Sequence, residues 1–155
     1  NQSEILQQLL PNEGAFRALM HSWFSHSVLR DILAELARAK VKVVMTTDHG
    51  SILGRKAALV YGRRDTSTNL RYKFGEDLRA QERDAAVVVE DLAAWGLPPR
   101  TPGTRLLLAS GDRFFVYPTK LREYQARYRG AFLHGGVTPE EMVLPIALLT
   151  ARRGT

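Results

Sequence analysis

Val41-Lys42-Val43-Val44-Met45-Thr46-Thr47-Asp48-His49-Gly50 is the stretch on which the reading of this chain turns. Residues 41–45 are β-branched and almost continuously apolar, the pattern of a short strand buried on both faces of a parallel sheet. The polar cluster after them then falls at the strand's carboxyl end, where open α/β sheets bind their ligands. Asp48 and His49 are neighbours, so in a regular strand they point to opposite faces. They can serve one centre only where the strand has ended, and Gly50 tolerates the turn that ends it. A carboxylate beside an imidazole is a candidate metal-binding pair. It is also what an ordinary turn contains, because Asp and Gly both favour turns. The candidate complement is a second histidine in a glycine loop, His134-Gly135-Gly136, which by itself could equally be a hydrogen-bonded histidine in a tight loop.

Working outward, helical spacing precedes the strand. Asn12 is a fair N-cap, and Phe16, Leu19, Met20, Trp23 and Phe24 recur on one face. Ser27 restarts the pattern for Leu29, Ile32, Leu33, Leu36 and Ala37. After the strand, Ala57 to Tyr61 predicts another, and Gly62 to Gly75 a long cationic loop ending in a short strand. Ala85 to Val89 is a strand or a buried helix. Asp91 caps a short helix through Trp95 that Gly96 stops, and Leu97 to Gly103 is a Pro-rich connector. Thr104 to Ala109 and Phe114 to Tyr117 predict a hairpin around Ser110-Gly111-Asp112-Arg113. Leu121, Tyr124 and Tyr128 share a helical face. Thr138-Pro139-Glu140-Glu141 is a capping box that starts a short helix, Pro145 ends it, and Ile146 to Thr150 is a last strand. The sum is one α/β domain, or the larger part of one, with a parallel sheet core flanked by helices.

Composition narrows the function. The 155 residues suffice for one domain with a real core. No apolar run is long enough to span a membrane, and no signal-peptide pattern opens the chain. The absence of cysteine excludes disulfides, zinc ribbons and thiol catalysis, and fits a cytoplasmic protein. Any metal must then be held by Asp, Glu, His or hydroxyl oxygens. The chain begins with Asn, the expected mark of a piece of something longer. Net charge is +6, and 17 of the 22 basic residues are Arg, the side chain suited to bidentate phosphate contacts. A solvated basic surface accounts for most of them; an anionic partner such as a nucleotide is the sharper reading.

Asn69-Leu70-Arg71-Tyr72-Lys73 has two readings. It is an edge strand protected by charge, or a phosphate cradle in which Asn69, Arg71 and Lys73 bring amide, guanidinium and ammonium donors together. Tyr124 and Tyr128 could stack a base, but their helical spacing favours packing. His21 and His26 read as surface residues, and Thr46 and Thr47 as strand-end structure.

Together these phrases resemble one family. Ser22-Trp23-Phe24, Thr46-Thr47-Asp48-His49-Gly50-Ser51, Thr68-Asn69-Leu70-Arg71-Tyr72-Lys73, Gly111-Asp112, His134-Gly135-Gly136-Val137 and Glu140-Glu141-Met142-Val143-Leu144-Pro145 resemble, in this order, the C-terminal half of a PglZ domain. That family is a branch of the alkaline phosphatase superfamily. The likeness spans essentially the whole chain and is greatest to PglZ domains that serve as output modules of bacterial two-component response regulators. It implies an alkaline-phosphatase-like fold and a phosphoesterase with two metal ions, usually zinc. It implies that Asp48 and His49 bind one ion and His134 the other. The nucleophile and the remaining ligands are expected upstream of Asn1, so the chain itself holds no catalytic nucleophile. Phosphodiesters of cyclic or short linear nucleotides are the implied substrates, with Asn69, Arg71 and Lys73 as substrate contacts. A receiver domain, a homodimer and the upstream half of the same domain are the implied partners. A regulatory or nucleotide-binding module that does not turn over is the alternative.

Overall fold

The computed structural model describes residues 12–63, 68–98 and 101–152. The chain divides into two compact units. One is made of its two ends, up to Asp48 and from Leu144; the other is the continuous stretch His49–Val143.

The first unit carries helices α1 (Glu13–Ser25) and α2 (Val28–Arg38), with Asn12 capping α1 through its side-chain oxygen on the Ala15 N–H, 2.9 Å. Strand β1 (Val43–Thr46) pairs antiparallel with β10 (Ile146–Leu149), Val43 opposite Leu149. The Thr46 hydroxyl donates to the Pro145 carbonyl at 2.9 Å. This corrects the expectation of a parallel strand. The run is apolar on both faces but not buried on both: side chains alternate between half-buried and exposed, and Val44 is 65% exposed.

The second unit is built of β2 (Ile52–Leu53), β3 (Lys56–Tyr61), β4 (Tyr72–Glu76), β5 (Arg79–Ala80), β6 (Ala86–Val89), β7 (Thr104–Ala109), β8 (Arg113–Val116), helix α3 (Leu121–Tyr128), β9 (Phe132–Leu133) and helix α4 (Pro139–Met142). They form three small sheets, ordered β2–β9, β5–β3–β8 and β4–β7–β6. Among the described residues only β3 and β8 run parallel; the other pairs are antiparallel. Among the described residues the architecture is therefore mixed α/β, in small sheets rather than one continuous parallel core. Ala85 to Val89 resolves to a strand after a single 3-10 turn. The expected hairpin is also corrected: β7 joins β4 and β6, whereas β8 joins β3. Apolar alternation marks a strand without marking its partner, and Phe114, Phe115 and Val116 are all buried by crossing to the other sheet. The core gathers Ala58, Val60, Leu78, Ala85, Ala86, Leu107, Ala109 and Phe115. No described helix is long and apolar enough to cross a membrane.

Candidate functional site

The shortest sheet sets the site. Antiparallel register places Ile52 opposite Leu133, so the residues just before β2 and just after β9 lie at the same end of the ladder. His49 and His134 occupy those positions. Their rings stack 3.7 Å apart at 10°, both exposed. His49 Nδ1 lies 2.9 Å from the Gly50 carbonyl. A carbonyl can only accept, so the Nδ1 N–H donates to it, which in a neutral ring would assign Nε2 as the metal-facing nitrogen.

Each histidine is followed by a glycine that packing requires. The Gly50 N–H donates to the Glu141 carbonyl at 3.0 Å, and a Cβ at Gly50 would sit 1.9 Å from the Glu140 carbonyl oxygen. Gly135 has φ +103, and a Cβ there would press on Tyr72 and both side-chain heteroatoms of Asn69. A Cβ at Gly136 would strike the Arg71 guanidinium and the Glu141 carboxylate, at 2.5 and 2.6 Å. The 49–50, 69–73 and 134–141 segments thus interlock.

The lock is a buried ion pair. Arg71 is 0% exposed. Its Nε and Nη2 donate to the two oxygens of Glu141, at 2.8 and 2.6 Å, and its remaining contacts are the carbonyls of Arg113 and Ala109. The Glu141 carboxylate also accepts the Gly136 N–H at 2.9 Å and the N–H and hydroxyl of Thr138, so one side chain receives five hydrogen bonds. Burial pushes its carboxyl up, but the hydrogen bonds from Arg71, Gly136 and Thr138, with the Arg71 charge, outweigh this and hold it below the ordinary value.

The structure therefore brings two of the three expected metal ligands together. Asp48 is exposed in a bend two residues past β1, where the first unit closes. The expected phosphate donors take other postures. Arg71 faces inward on Glu141, which is bracing rather than an open cradle. Asn69 shapes the turn, its side-chain oxygen accepting the N–H groups of Arg71 and Tyr72 at 2.7 and 3.2 Å. Lys73 is 3% exposed, with its ammonium 5.3 Å from the Tyr117 ring centroid, and burial lowers it to about 8. Sequence reasoning assigned Glu141 only to a capping box, which is present, and missed the brace. The one available signal was that an inward-facing Arg needs a counter-charge.

The donor chemistry fits a hydrolytic metal centre in part. Neutral imidazole suits zinc without cysteine. Among the described residues, no group of three or more His, Asp or Glu converges to hold an ion, whereas a catalytic zinc typically takes three protein ligands. The family model described as the BREX system PglZ alkaline phosphatase-like domain matches residues 6–149. No curated protein matches the chain.

Proposed function

The chain belongs to the PglZ alkaline phosphatase-like family, and on that premise we propose that it supplies part of a two-metal phosphodiesterase centre acting on cyclic or short linear nucleotides. One observation carries the reading: His49 and His134, 85 positions apart in the sequence, stack with their rings 3.7 Å apart on a rigidly braced loop. Asp48 and His49 would hold one zinc ion and His134 the other. When bound, such ions supply positive charge to the oxygens of a phosphoryl group and activate the nucleophile. This chain's own residues orient the imidazoles: the Gly50 carbonyl fixes the His49 tautomer, and Glu141 fixes the loop that carries His134. The nucleophile and the remaining ligands would be supplied by residues other than these three, and the setting would be the output domain of a response regulator. Both of these rest on the resemblance of the motifs alone.

The test uses the intact protein. Zinc content and hydrolysis of a cyclic dinucleotide are measured for the wild type and for His134→Ala. The expected outcome is bound zinc and turnover in the wild type, with turnover abolished and zinc reduced in the variant. Full activity and full zinc in His134→Ala would sink the assignment. Zinc without turnover in the wild type favours the alternative, a regulatory module that binds nucleotide and does not cleave it.

A further inference from the structure

We propose that the second unit carries a separate oligophosphate-binding cleft, formed by the starts of β3 and β8 and the end of α3. Its ligand bears two or three clustered phosphates. The cleft has a volume of about 780 Å³, within the range of small-molecule sites. Arg55, Lys56, Arg113 and Arg129 line it, with Glu82 as the one carboxylate. None of the six candidate residues of the histidine site does.

The fold assembles these cations from three separate segments. Parallel pairing sets Lys56 opposite Arg113. The N–H groups of Arg55 and Lys56 both donate to the Asp112 carbonyl, at 2.8 and 3.3 Å. The Gly130 N–H donates to the Gly54 carbonyl at 2.7 Å, which brings Arg129 and Arg55 to either side of one hydrogen bond. Arg113 is partly neutralised by Asp84 at 2.6 Å and, more distantly, Glu82 at 3.9 Å. Arg55, Lys56 and Arg129 are exposed and have no carboxylate within ion-pair distance among the described residues. Four cations lining one cleft against a single lining carboxylate make its potential positive, and a polyanion neutralises it. A cation at a helix C-terminus is favourable in its own right. That explains Arg129 but neither Arg55 nor Lys56. Phe114 lines the cleft yet is fully buried, so it offers no face for a base. The recognition is of phosphate, independent of base identity.

The test is isothermal titration of the intact protein with sodium tripolyphosphate, together with anisotropy of a fluorescein-labelled thymidine hexanucleotide, at 50 and 200 mM salt. Both signals should weaken with salt, that of the hexanucleotide by up to about 0.7 in log–log slope per phosphate contacted. Arg55→Ala/Arg129→Ala should weaken binding by about tenfold or more and lower the slope, through loss of two charge-assisted contacts. Lys42→Ala/Arg152→Ala, an equal loss of charge on the first unit, should stay within about twofold if local geometry and not net charge governs affinity. Both measurements are made in EDTA, which empties any metal site at the histidines, so a failure of the proposed catalytic centre leaves this result readable. Circular dichroism checks that each variant is folded. Tripolyphosphate binding alone identifies a free oligophosphate ligand, and mutual competition with the hexanucleotide extends it to nucleic-acid backbone; either supports the cleft. No tripolyphosphate binding at 50 mM salt overturns it. So does undiminished binding by Arg55→Ala/Arg129→Ala, or an equal loss in the two double variants.

Discussion

Glu141→Gln is the most demanding perturbation of the histidine loop, because the carboxylate it alters receives five hydrogen bonds. Glutamine keeps one acceptor oxygen. Its amide nitrogen must face either the side of Arg71 Nη2 and Thr138 or the side of Arg71 Nε and the Gly136 N–H. The second orientation loses less, yet it leaves two buried donors facing another donor. A stranded buried donor costs about 1–3 kcal/mol. The guanidinium, 0% exposed, also loses its counter-charge without gaining water, and breaking one partner of a buried pair costs roughly 3–5 kcal/mol. These costs overlap, so the expected loss is about 3–5 kcal/mol, a large share of the roughly 5–15 kcal/mol that holds a domain. Urea unfolding followed by circular dichroism at neutral pH measures it. Adding Arg71→Met to Glu141→Gln should cost less than the two single changes summed, because the stranded charge disappears. The carboxyl's lowered folded-state value makes its contribution complete above the ordinary carboxylate range and lost as pH falls through that lowered value. The gap between wild type and variant should therefore narrow in acid. A loss under about 1 kcal/mol, the size of a typical surface hydrogen bond, would refute the brace.

Two further outcomes follow from the same unit. Burial lowers Lys73 from 10.5 to about 8, so between those values the unfolded chain binds a proton that the folded chain does not, and wild-type stability rises with pH by on the order of 3 kcal/mol. Lys73→Met should be the more stable protein at pH 7, its advantage shrinking towards pH 10.5; a pH-independent difference would show that the ammonium is solvated. Gly50→Ala forces a methyl against the Glu140 carbonyl. It should lower the urea midpoint by the equivalent of about 1–3 kcal/mol, and an unchanged midpoint would mean that the segment before β2 is not packed as described.

Local elements were legible where chemistry within a few residues decides them. The Asn12 cap, the break at Ser27 and the Thr138 capping box are short-range hydrogen-bonding patterns, and the helices begin where those patterns place them. Strand partners were not legible. Val43 to Thr46 looked doubly buried because its residues are apolar, while its exposure depends on a strand about a hundred positions away. The two glycine-flanked histidines could be picked out as a pair, but not their approach, which depends on the Ile52–Leu133 register. The Asn69–Lys73 donors stood out by residue type. Which way they point is set by Glu141, 70 positions from Arg71, and no local pattern encodes that.

The chain's division has a consequence for its synthesis. Everything from His49 to Val143 is one continuous piece whose three sheets pair without any strand from the two ends of the chain. Strand β1 emerges earlier yet cannot pair until Ile146–Leu149 arrives, since Thr46 and its Pro145 partner are 99 positions apart. Closing so long a loop costs about 2 kcal/mol more than closing one of ten residues. Throughout that wait the unpaired edge of β1, with Val44 beside it, is open to any other extended chain. Until Ile146–Leu149 has been made and has paired, that edge is the aggregation-prone part of the fold, and substitutions that weaken the β1–β10 pairing should lower soluble yield before they alter the second unit.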